Sequence, residues 1–396
     1  MGEKNSRTFI GDLHEYKGKE VSVRGWVDVR RDHGKLLFMD LRDYSGKVQA
    51  VIKPDTGEAY VIAGKSRPEW TLKITGLVNK RGEKMLNPDQ TNGDIEIVVS
   101  SIEILSEAQE LPFDKDEKAN LDTHLDYLPF TLKNDRSQAI FKVQARIIEA
   151  FREYFVSKGF TEFQAPKLIG EDAEGGASVF ELEYFGGHKA HLAQSPQFYK
   201  QIMVGVFERV FTTGNVFRAE KHATSRHINE YTSIDAEMGF IDDHHDIMRM
   251  ETELLGHILE ALKNNCQQEF KLLGATYPKL PNEIPYIKMR EAQKIVSEKY
   301  NKELSSNPDL SPPEERLICE YASEKFDSDF LFITHYPVEK RPMYIYEDQE
   351  DPGYTKSFDL LFRGIEITTG GQRVHDHDTL VEKMKQKGLD PEKFSF

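Results

Sequence analysis

Hydrophobic and polar residues alternate in five short runs between Glu20 and Leu105, and this alternation predicts five β-strands. Polar loops rich in glycine, asparagine and aspartate separate the runs. The runs are VSVRGWVDVR, KLLFMDLRD, KVQAVIKP, TLKITGLVNK and IEIVVSSIEIL. Five strands in so short a stretch indicate a small barrel, to which we assign residues 1–105.

A five-stranded barrel of this size is typical of the OB-fold, which often binds oligonucleotides on one face. The charged segment that follows, residues 106–133, is interpreted as a hinge rather than a core element. The N-terminal pattern therefore predicts a nucleic-acid-binding module joined to a second domain.

Helical periodicity begins after the hinge, at the start of a larger domain over residues 134–396. Two amphipathic helices are predicted there, and the first ends near Gly159, a common residue after a helix C-terminus. The apolar positions are Ile140, Val143, Ile147, Phe151 and Tyr154 in the first helix and Ile247, Met250, Leu254, Ile258 and Leu262 in the second.

Strand-like runs elsewhere in the larger domain follow one another as a meander, which predicts an α+β fold. No phosphate-binding P-loop or dinucleotide-binding glycine motif is present. The runs are IMVGVFERVFTT, residues Tyr231–Phe240, DFLFITHYP, RPMYIYED, SFDLLF and GIEITT.

Composition excludes several classes of protein. The net charge of −15 over 396 residues argues against sequence-blind nucleic-acid binding through the whole surface, although it allows a local RNA contact. No apolar run approaches the ~20 residues of a membrane helix, so no membrane partner is expected. Two isolated cysteines favour a cytoplasmic protein. The DDHHD stretch, Asp242–Asp246, is interpreted as a solvated helix start.

The first candidate site is the segment Phe217–Met238, FRAEKHATSRHINEYTSIDAEM. Two strands flank a polar loop, and Tyr231, Ser233, Asp235 and Glu237 lie on one face of the second strand because side chains alternate. Arginine is suited to bind phosphate or carboxylate, and Tyr231 could stack on a purine. The alternative is an exposed hairpin with weak surface ion pairs.

The second candidate is the hairpin SFDLLFRGIEITTGGQR. A two-residue turn at Arg363-Gly364 would place Asp359 opposite Thr368 and Leu361 opposite Glu366. Asp359 and Glu366 would then share a face, an arrangement that suits Mg²⁺. The alternative is a solvent-facing edge hairpin.

The third candidate combines the glycine-containing loop GEDAEGGASVF with the segment QSPQFYKQ, which carries Lys200. Such a loop could close over a small substrate. The alternatives are an ordinary surface loop for the first segment and, for the second, a surface lysine whose methylene stem lies over Phe198 or Tyr199.

In this order the segments resemble the class II aminoacyl-tRNA synthetases, and most of all the aspartyl enzymes of archaeal and eukaryotic type. KGFTEFQAPKL is similar to the first family motif, a dimer-interface helix and strand, and FRAE…SRHINEY to the second. The resemblance covers nearly the whole chain. It implies an antiparallel sheet flanked by helices, preceded by an OB-fold that reads the anticodon.

The resemblance also implies roles for individual residues. Arg218 would hold the α-phosphate and the substrate carboxylate, Tyr231 would stack on adenine, and Lys200 with Arg373 would bind the aspartate side chain. The ATP set is Arg218, Ala219, Glu220, Arg226, His227, Ile228, Tyr231 and Glu366. The aspartate set is Glu174, Gln197, Phe198, Tyr199, Lys200, Arg218, Asp235, Thr369 and Arg373. The metal set is Asp359, Glu366 and Thr369, and the anticodon set is Arg30, Arg31, Phe38 and Gln49.

The resemblance implies that the protein ligates L-aspartate to tRNA(Asp) with ATP and Mg²⁺, and tRNA(Asn) is a second candidate acceptor. It also implies a cytoplasmic homodimer. Two alternatives stay open. One is an asparaginyl-tRNA synthetase, which Lys200 and NEYTSIDAEM disfavour, and the other is a catalytically inactive RNA-binding protein.

The family's third motif, a glycine-rich strand and helix with the pattern GxGxER, would follow GLDPEKFSF, where the sequence stops at Phe396. The favoured explanation is that the sequence is incomplete, and the other explanation is a natural truncation. The motif's arginine would cover the far side of adenine, so residues 1–396 alone are expected to be almost inactive.

Overall fold

The structure is a computed structural model, and it describes residues 7–88, 90, 92–113, 120–170, 179–220, 228–301 and 308–394. The chain forms two compact units, Met1–Asn134 and Asp135–Phe396. Among the described residues, no helix is both long and apolar enough to cross a membrane.

The N-terminal unit is a closed five-stranded barrel with strand order β1-β2-β3-β5-β4, as the sequence predicted. Alternate residues of each strand point inward, and Val21, Met39 and Ile74 are among those that fill the core. The strands are β1 (Glu20–Asp32), β2 (Leu37–Asp43), β3 (Gly46–Ile52), β4 (Thr71–Lys80) and β5 (Ile95–Ser106), and helix α1 (Glu58–Lys65) lies between β3 and β4.

Residues after β5 pack onto the same unit. The Trp70 indole donates a hydrogen bond to the Ala108 carbonyl at 2.9 Å. Two short helices follow, α2 (Leu121–Asp126) and α3 (Leu128–Thr131). The Lys133 ammonium then pairs with the buried Glu69 carboxylate at 2.7 Å. The segment predicted as a hinge therefore includes ordered structure joined to the barrel.

The C-terminal unit contains seven helices and ten strands within its described residues. Its two larger sheets have the orders β6-β10-β11 and β12-β13-β14-β15, and β7-β9-β8 form a small third sheet. The strands are β6 (Thr161–Glu162), β7 (Leu168–Ile169), β8 (Glu181–Tyr184), β9 (His188–Leu192), β10 (Arg209–Phe217), β11 (Glu230–Met238), β12 (Tyr286–Lys288), β13 (Phe330–Thr334), β14 (Ser357–Phe362) and β15 (Ile365–Gly371). The helices are α4 (Asp135–Ser157), α5 (Gln197–Phe207), α6 (His244–Asn265), α7 (Gln267–Leu273), α8 (Met289–Tyr300), α9 (Pro312–Phe326) and α10 (His377–Gln386).

Helix α6 lies beneath both larger sheets. On one side Leu254 and Ile258 pack in a core with Phe211 of β10, and on the other Met248 packs with Phe358 of β14. The free edges of β11 and β15 line one cavity of about 670 Å³. The two predicted amphipathic helices, α4 and α6, thus supply the apolar layer under the sheets.

Three sequence expectations for this unit are wrong. IMVGVF belongs to helix α5 and not to a strand, because burial of Gln197 and Lys200 recurs at helical spacing. RPMYIYED forms isolated bridges instead of a strand, since its apolar residues pack against α10. The DDHHD stretch does begin a helix, but His244 is only 2% exposed and so is not solvated.

Gly76 allows β4 and β5 to approach each other closely. A Cβ at this position would lie 2.4 Å from the Val98 carbonyl oxygen, a backbone atom that cannot rotate away. We predict that Gly76→Ala destabilises the barrel by about 2–3 kcal/mol through overpacking. Unfolding followed by tryptophan fluorescence measures this directly, because Trp26 and Trp70 are the only tryptophans and both belong to the N-terminal unit.

Gly82→Ala is the matched control. A Cβ at Gly82 would have no neighbour within 4 Å, and its φ of −63° suits any residue. We expect this variant to match or slightly exceed the wild type in stability. Equal stability of both variants would contradict the proposed close approach.

Candidate active site

A buried network of charges joins α5, β11 and the chain after β15. The Lys200 ammonium lies 2.8 Å from Asp235 Oδ1 and 3.6 Å from Glu237 Oε2. The Arg373 Nε donates to Glu237 Oε1 at 3.0 Å, and its Nη2 donates to the Gln197 side-chain oxygen at 3.1 Å. Lys200 is only 5% exposed, so the surface-lysine alternative is wrong.

Local structure explains why these groups converge. Gln197 and Lys200 are three residues apart and therefore lie on the same face of α5. Asp235 and Glu237 are two residues apart on β11, so they share a face opposite the apolar Ala236 and Met238, which pack towards α4 and α6. The functional face of the sheet is thus the one turned away from the helical layer.

The network carries an excess of positive charge. Burial raises the pKa of Asp235 and Glu237, but Lys200 beside Asp235 and Arg373 beside Glu237 outweigh it, so both pKa values lie below the usual range. Lys167 adds a third cation: burial lowers its pKa, and the Asp235 carboxylate opposes that shift. Three cations face two carboxylates.

Arg218 follows β10 and lies beside Tyr231 of β11. Its guanidinium carbon is 5.9 Å from the Tyr231 ring centre, and its backbone N–H donates to the Asn229 carbonyl at 2.9 Å. The buried Arg218 Nε has no hydrogen-bond partner among the described residues. A buried donor without a partner is costly, which indicates a position prepared for an anion.

The other residues predicted to bind ATP or aspartate differ in their exposure and packing. Ala219 and Glu220 continue from Arg218, and Ile228 is exposed. Tyr199 is half-buried on α5, whereas Phe198 packs against Phe394 with ring centres 5.3 Å apart, in an apolar cluster with residues of α10. The predictions for Glu174, Arg226 and His227 lie outside the described residues.

The β14–β15 hairpin forms at Arg363-Gly364, and both residues have positive φ. Leu361 lies opposite Glu366 as predicted, but Asp359 lies opposite Thr369 and not Thr368, because a bulge shifts the register between Leu360 and Leu361. The extra residue places Glu366, Thr369 and Asp359 on one face.

The acidic face of this hairpin suits a divalent cation. The Thr369 hydroxyl contacts Glu366 Oε1 at 2.5 Å, and Asp359 Oδ1 accepts from Arg341 at 2.7 Å. Desolvation, followed by the negative charge of Asp359, raises the pKa of Glu366 to about 7. Two mutually repelling carboxyl groups with a hydroxyl between them form an oxygen donor set of the kind that hard cations prefer.

Four charged residues of the candidate site were assigned no role from the sequence: Glu237, Lys167, Arg341 and Glu251. Glu237 could have been identified, since strand alternation places it beside Asp235. Lys167 and Arg341 gave no signal, because their partners are distant in the chain. Glu251 of α6 lines the cavity between β11 and β15. Burial raises the pKa of its carboxyl group to about 7, although a hydrogen bond with the Thr368 side chain acts to lower that pKa.

The barrel brings three of the four predicted anticodon residues together. Arg31 pairs with Phe38 across β1 and β2, and Arg31 contacts the Asp40 carboxylate at 2.8 Å and the Gln49 side-chain oxygen at 3.4 Å. Arg30 faces elsewhere and donates to the Gly64 carbonyl at 2.7 Å. The patch of Arg31, Phe38 and Gln49 combines a cation, an aromatic ring and an amide.

Known proteins resemble the chain over both units. The family described as "tRNA synthetases class II (D, K and N)" matches residues 120–396, and the "OB-fold nucleic acid binding domain" family matches residues 21–105. The aspartate–tRNA(Asp/Asn) ligase of Thermus thermophilus is 44% identical over 98% of this chain and 88% of its own length. The aspartate–tRNA(Asp) ligase of Pyrococcus abyssi is 38% identical over 96% of this chain and 86% of its own length.

A solved structure adds to these matches. Asparaginyl-tRNA synthetase from Pyrococcus horikoshii, complexed with asparaginyl-adenylate, has a TM-score of 0.89 at 30% identity, covering 98% of this chain and 88% of that one. Both the catalytic sheet and the barrel are therefore shared with enzymes that charge tRNA. The chain belongs to the class II tRNA synthetases of the D, K and N group.

Proposed function

We propose that the protein activates L-aspartate with ATP and transfers it to tRNA(Asp), with tRNA(Asn) as a second candidate acceptor. The observation that carries this proposal is the buried network in which Lys200 and Arg373 converge with Asp235 and Glu237. ATP as a substrate and the use of a divalent cation follow from the class.

The charge balance of the network favours aspartate over asparagine. Among the described residues of the network, the three cations Lys167, Lys200 and Arg373 outnumber the two carboxylates Asp235 and Glu237 by one. Bound aspartate carries a net charge of −1 and would neutralise this excess, whereas asparagine is neutral overall. Asparagine ligation is the second candidate, supported by the structural likeness to the Pyrococcus horikoshii enzyme.

In the first step the aspartate α-carboxylate attacks the α-phosphorus of ATP, forming aspartyl-adenylate and releasing pyrophosphate. The nucleophile is already ionised, so no protein base is required and positioning carries the reaction. Arg218, whose Nε has no hydrogen-bond partner among the described residues, would bind the charge that develops on the α-phosphate, and Tyr231 would stack on adenine. A terminal ribose hydroxyl of tRNA then attacks the carbonyl carbon of aspartyl-adenylate, so that the acyl–phosphate bond breaks, AMP leaves and an aspartyl ester of the tRNA forms.

Asp359, Glu366 and Thr369 would hold Mg²⁺, which neutralises phosphate charge when bound. These three donors belong to the β14–β15 hairpin, and Arg373 lies two residues after the end of β15. Phosphates and the amino acid would therefore meet along one edge of the site.

Assembly and location are proposed as a cytoplasmic homodimer. Apolar Ile140 and Phe141 are both more than half exposed on α4, within the region that leads to the motif similar to the dimer interface of the family. Cys266 is a buried free thiol, which suits a reducing compartment.

Replacement of Lys200 tests amino-acid selection. We predict that Lys200→Met in the full-length protein lowers aspartate kcat/KM in ATP–pyrophosphate exchange by about 30-fold or more, since losing a buried charge partner costs ~2–5 kcal/mol. The KM for ATP should stay nearly constant, because the ion-pair partners of Lys200 among the described residues, Asp235 and Glu237, belong to the amino-acid network.

Lys189→Met is the control, because Lys189 forms an exposed ion pair with Glu181. The double variant Lys200→Met, Asp235→Asn removes both charges of the closest pair and separates lost substrate binding from an unpaired buried acid. An unchanged aspartate kcat/KM in the folded Lys200→Met variant would reject the proposed role.

Replacement of the barrel patch tests tRNA recognition. We predict that Phe38→Ala and Gln49→Ala reduce charging of tRNA(Asp) but leave aspartate-dependent ATP–pyrophosphate exchange within about twofold. Base stacking on an aromatic ring contributes ~1–3 kcal/mol, so the loss for Phe38→Ala should be about 5- to 150-fold.

Tryptophan fluorescence checks that each variant barrel is folded. Charging of purified tRNA(Asp) and tRNA(Asn) in parallel then determines which acceptors the protein uses. Loss of exchange activity in a folded barrel variant would contradict the proposed division of labour between the two units.

A further inference from the structure

A cluster of imidazole rings lies at the start of α6, apart from the residues proposed to bind substrate. His244 and His245 have ring centres 4.2 Å apart, and His335, which follows β13, lies 5.4 Å from His244. Tyr286 of β12 lies against His245 at 5.2 Å. Three elements therefore converge on a helix start that the sequence had suggested was solvated.

His244 is unusual within this cluster. Its side chain is only 2% exposed, and neither ring nitrogen has a hydrogen-bond partner among the described residues. His335 is almost as buried, yet its Nδ1 lies 2.9 Å from Thr334 Oγ1 and its Nε2 lies 3.3 Å from Asp348 Oδ2. Because unsatisfied buried polar groups are costly, the His244 ring lacks a partner that it requires.

Suitable neighbouring donors are already present. Asp243, His244 and His245 each offer one ligand atom, and these atoms all lie within 4.8 Å of one another. His245 Nδ1 is 3.2 Å from Asp243 Oδ1.

We propose that Asp243, His244 and His245 form a binding site for one late first-row divalent cation, with Zn²⁺ as the reference ion. Two imidazoles and a carboxylate are the donor types that such ions prefer, in contrast to the all-oxygen set at Asp359 and Glu366. The Asp243 carboxylate supplies negative charge that attracts a cation. The positive charge of Lys356, which also acts on His244, opposes this attraction.

The role of the ion would be structural. Helix α6 packs beneath both larger sheets, through Met248 on one side and Leu254 on the other. An ion at its first turn would fix the helix end beside β12 and β13 without contacting the amino-acid network. Binding should therefore stabilise the C-terminal unit and leave the kcat of aspartate activation nearly unchanged.

The experiment titrates Zn²⁺ into EDTA-treated, dialysed full-length protein against a chromogenic competing chelator. We expect one Zn²⁺ per chain in the wild type and affinity at least about tenfold lower in His244→Ala. Asp243→Asn and His245→Ala should also weaken binding. Asp243→Asn keeps an N-cap acceptor, and the half-buried His245 can be truncated with less packing loss.

His377→Ala is the matched control. Helix α10 also begins with an aspartate N-cap followed by histidine, but the His377 side chain is 86% exposed. This variant should bind Zn²⁺ as the wild type does. Zn²⁺ should also raise the melting temperature of the wild type and of His377→Ala but not that of His244→Ala.

Absence of a stoichiometric ion in the wild type would overturn the proposal. Equal Zn²⁺ affinity in wild type and His244→Ala would overturn it as well, since binding would then belong to exposed side chains. If His244→Ala does not fold, the affinities of Asp243→Asn and His245→Ala decide the question, and wild-type affinity in both rejects the site.

Discussion

The buried pairing of Lys200 with Asp235 is the interaction on which the active site depends. Burying a lysine that is only 5% exposed requires nearby carboxylates to offset the loss of hydration, and Asp235 and Glu237 supply them. The same carboxylates position Arg373 through Glu237. The proposed substrate selection and the packing of α5 against β11 therefore depend on the same network.

This network requires a rigid support, which α6 provides. The helix packs Met248 against the β14 side and Leu254 against the β10 side, so two sheets that share no paired strands keep a common apolar layer. The cavity between β11 and β15 opens above that layer. Glu251, whose pKa burial raises to about 7, lies at the cavity floor, where an ionised carboxylate is disfavoured.

The β14–β15 hairpin shows how one irregular residue determines the chemistry of a face. A regular pairing would have set Asp359 opposite Thr368, whose side chain instead contacts Glu251 towards α6. The bulge moves Thr369 opposite Asp359 and aligns it with Glu366. Three oxygen donors, those of Asp359, Glu366 and Thr369, consequently share one face of the hairpin.

The sequence by itself determined the barrel strands, the amphipathic helices and the family motifs, because these depend on local periodicity and on residues near one another in the chain. Strand alternation even placed Asp235 and Glu237 on one face. Only the tertiary structure decided that Lys200 lies on a helix and pairs with them and that a bulge moves the partner of Asp359 by one residue. It also showed that His244 is buried with no hydrogen-bond partner among the described residues. These features arise from contacts between segments far apart in sequence, where burial and charge pairing outweigh local preference.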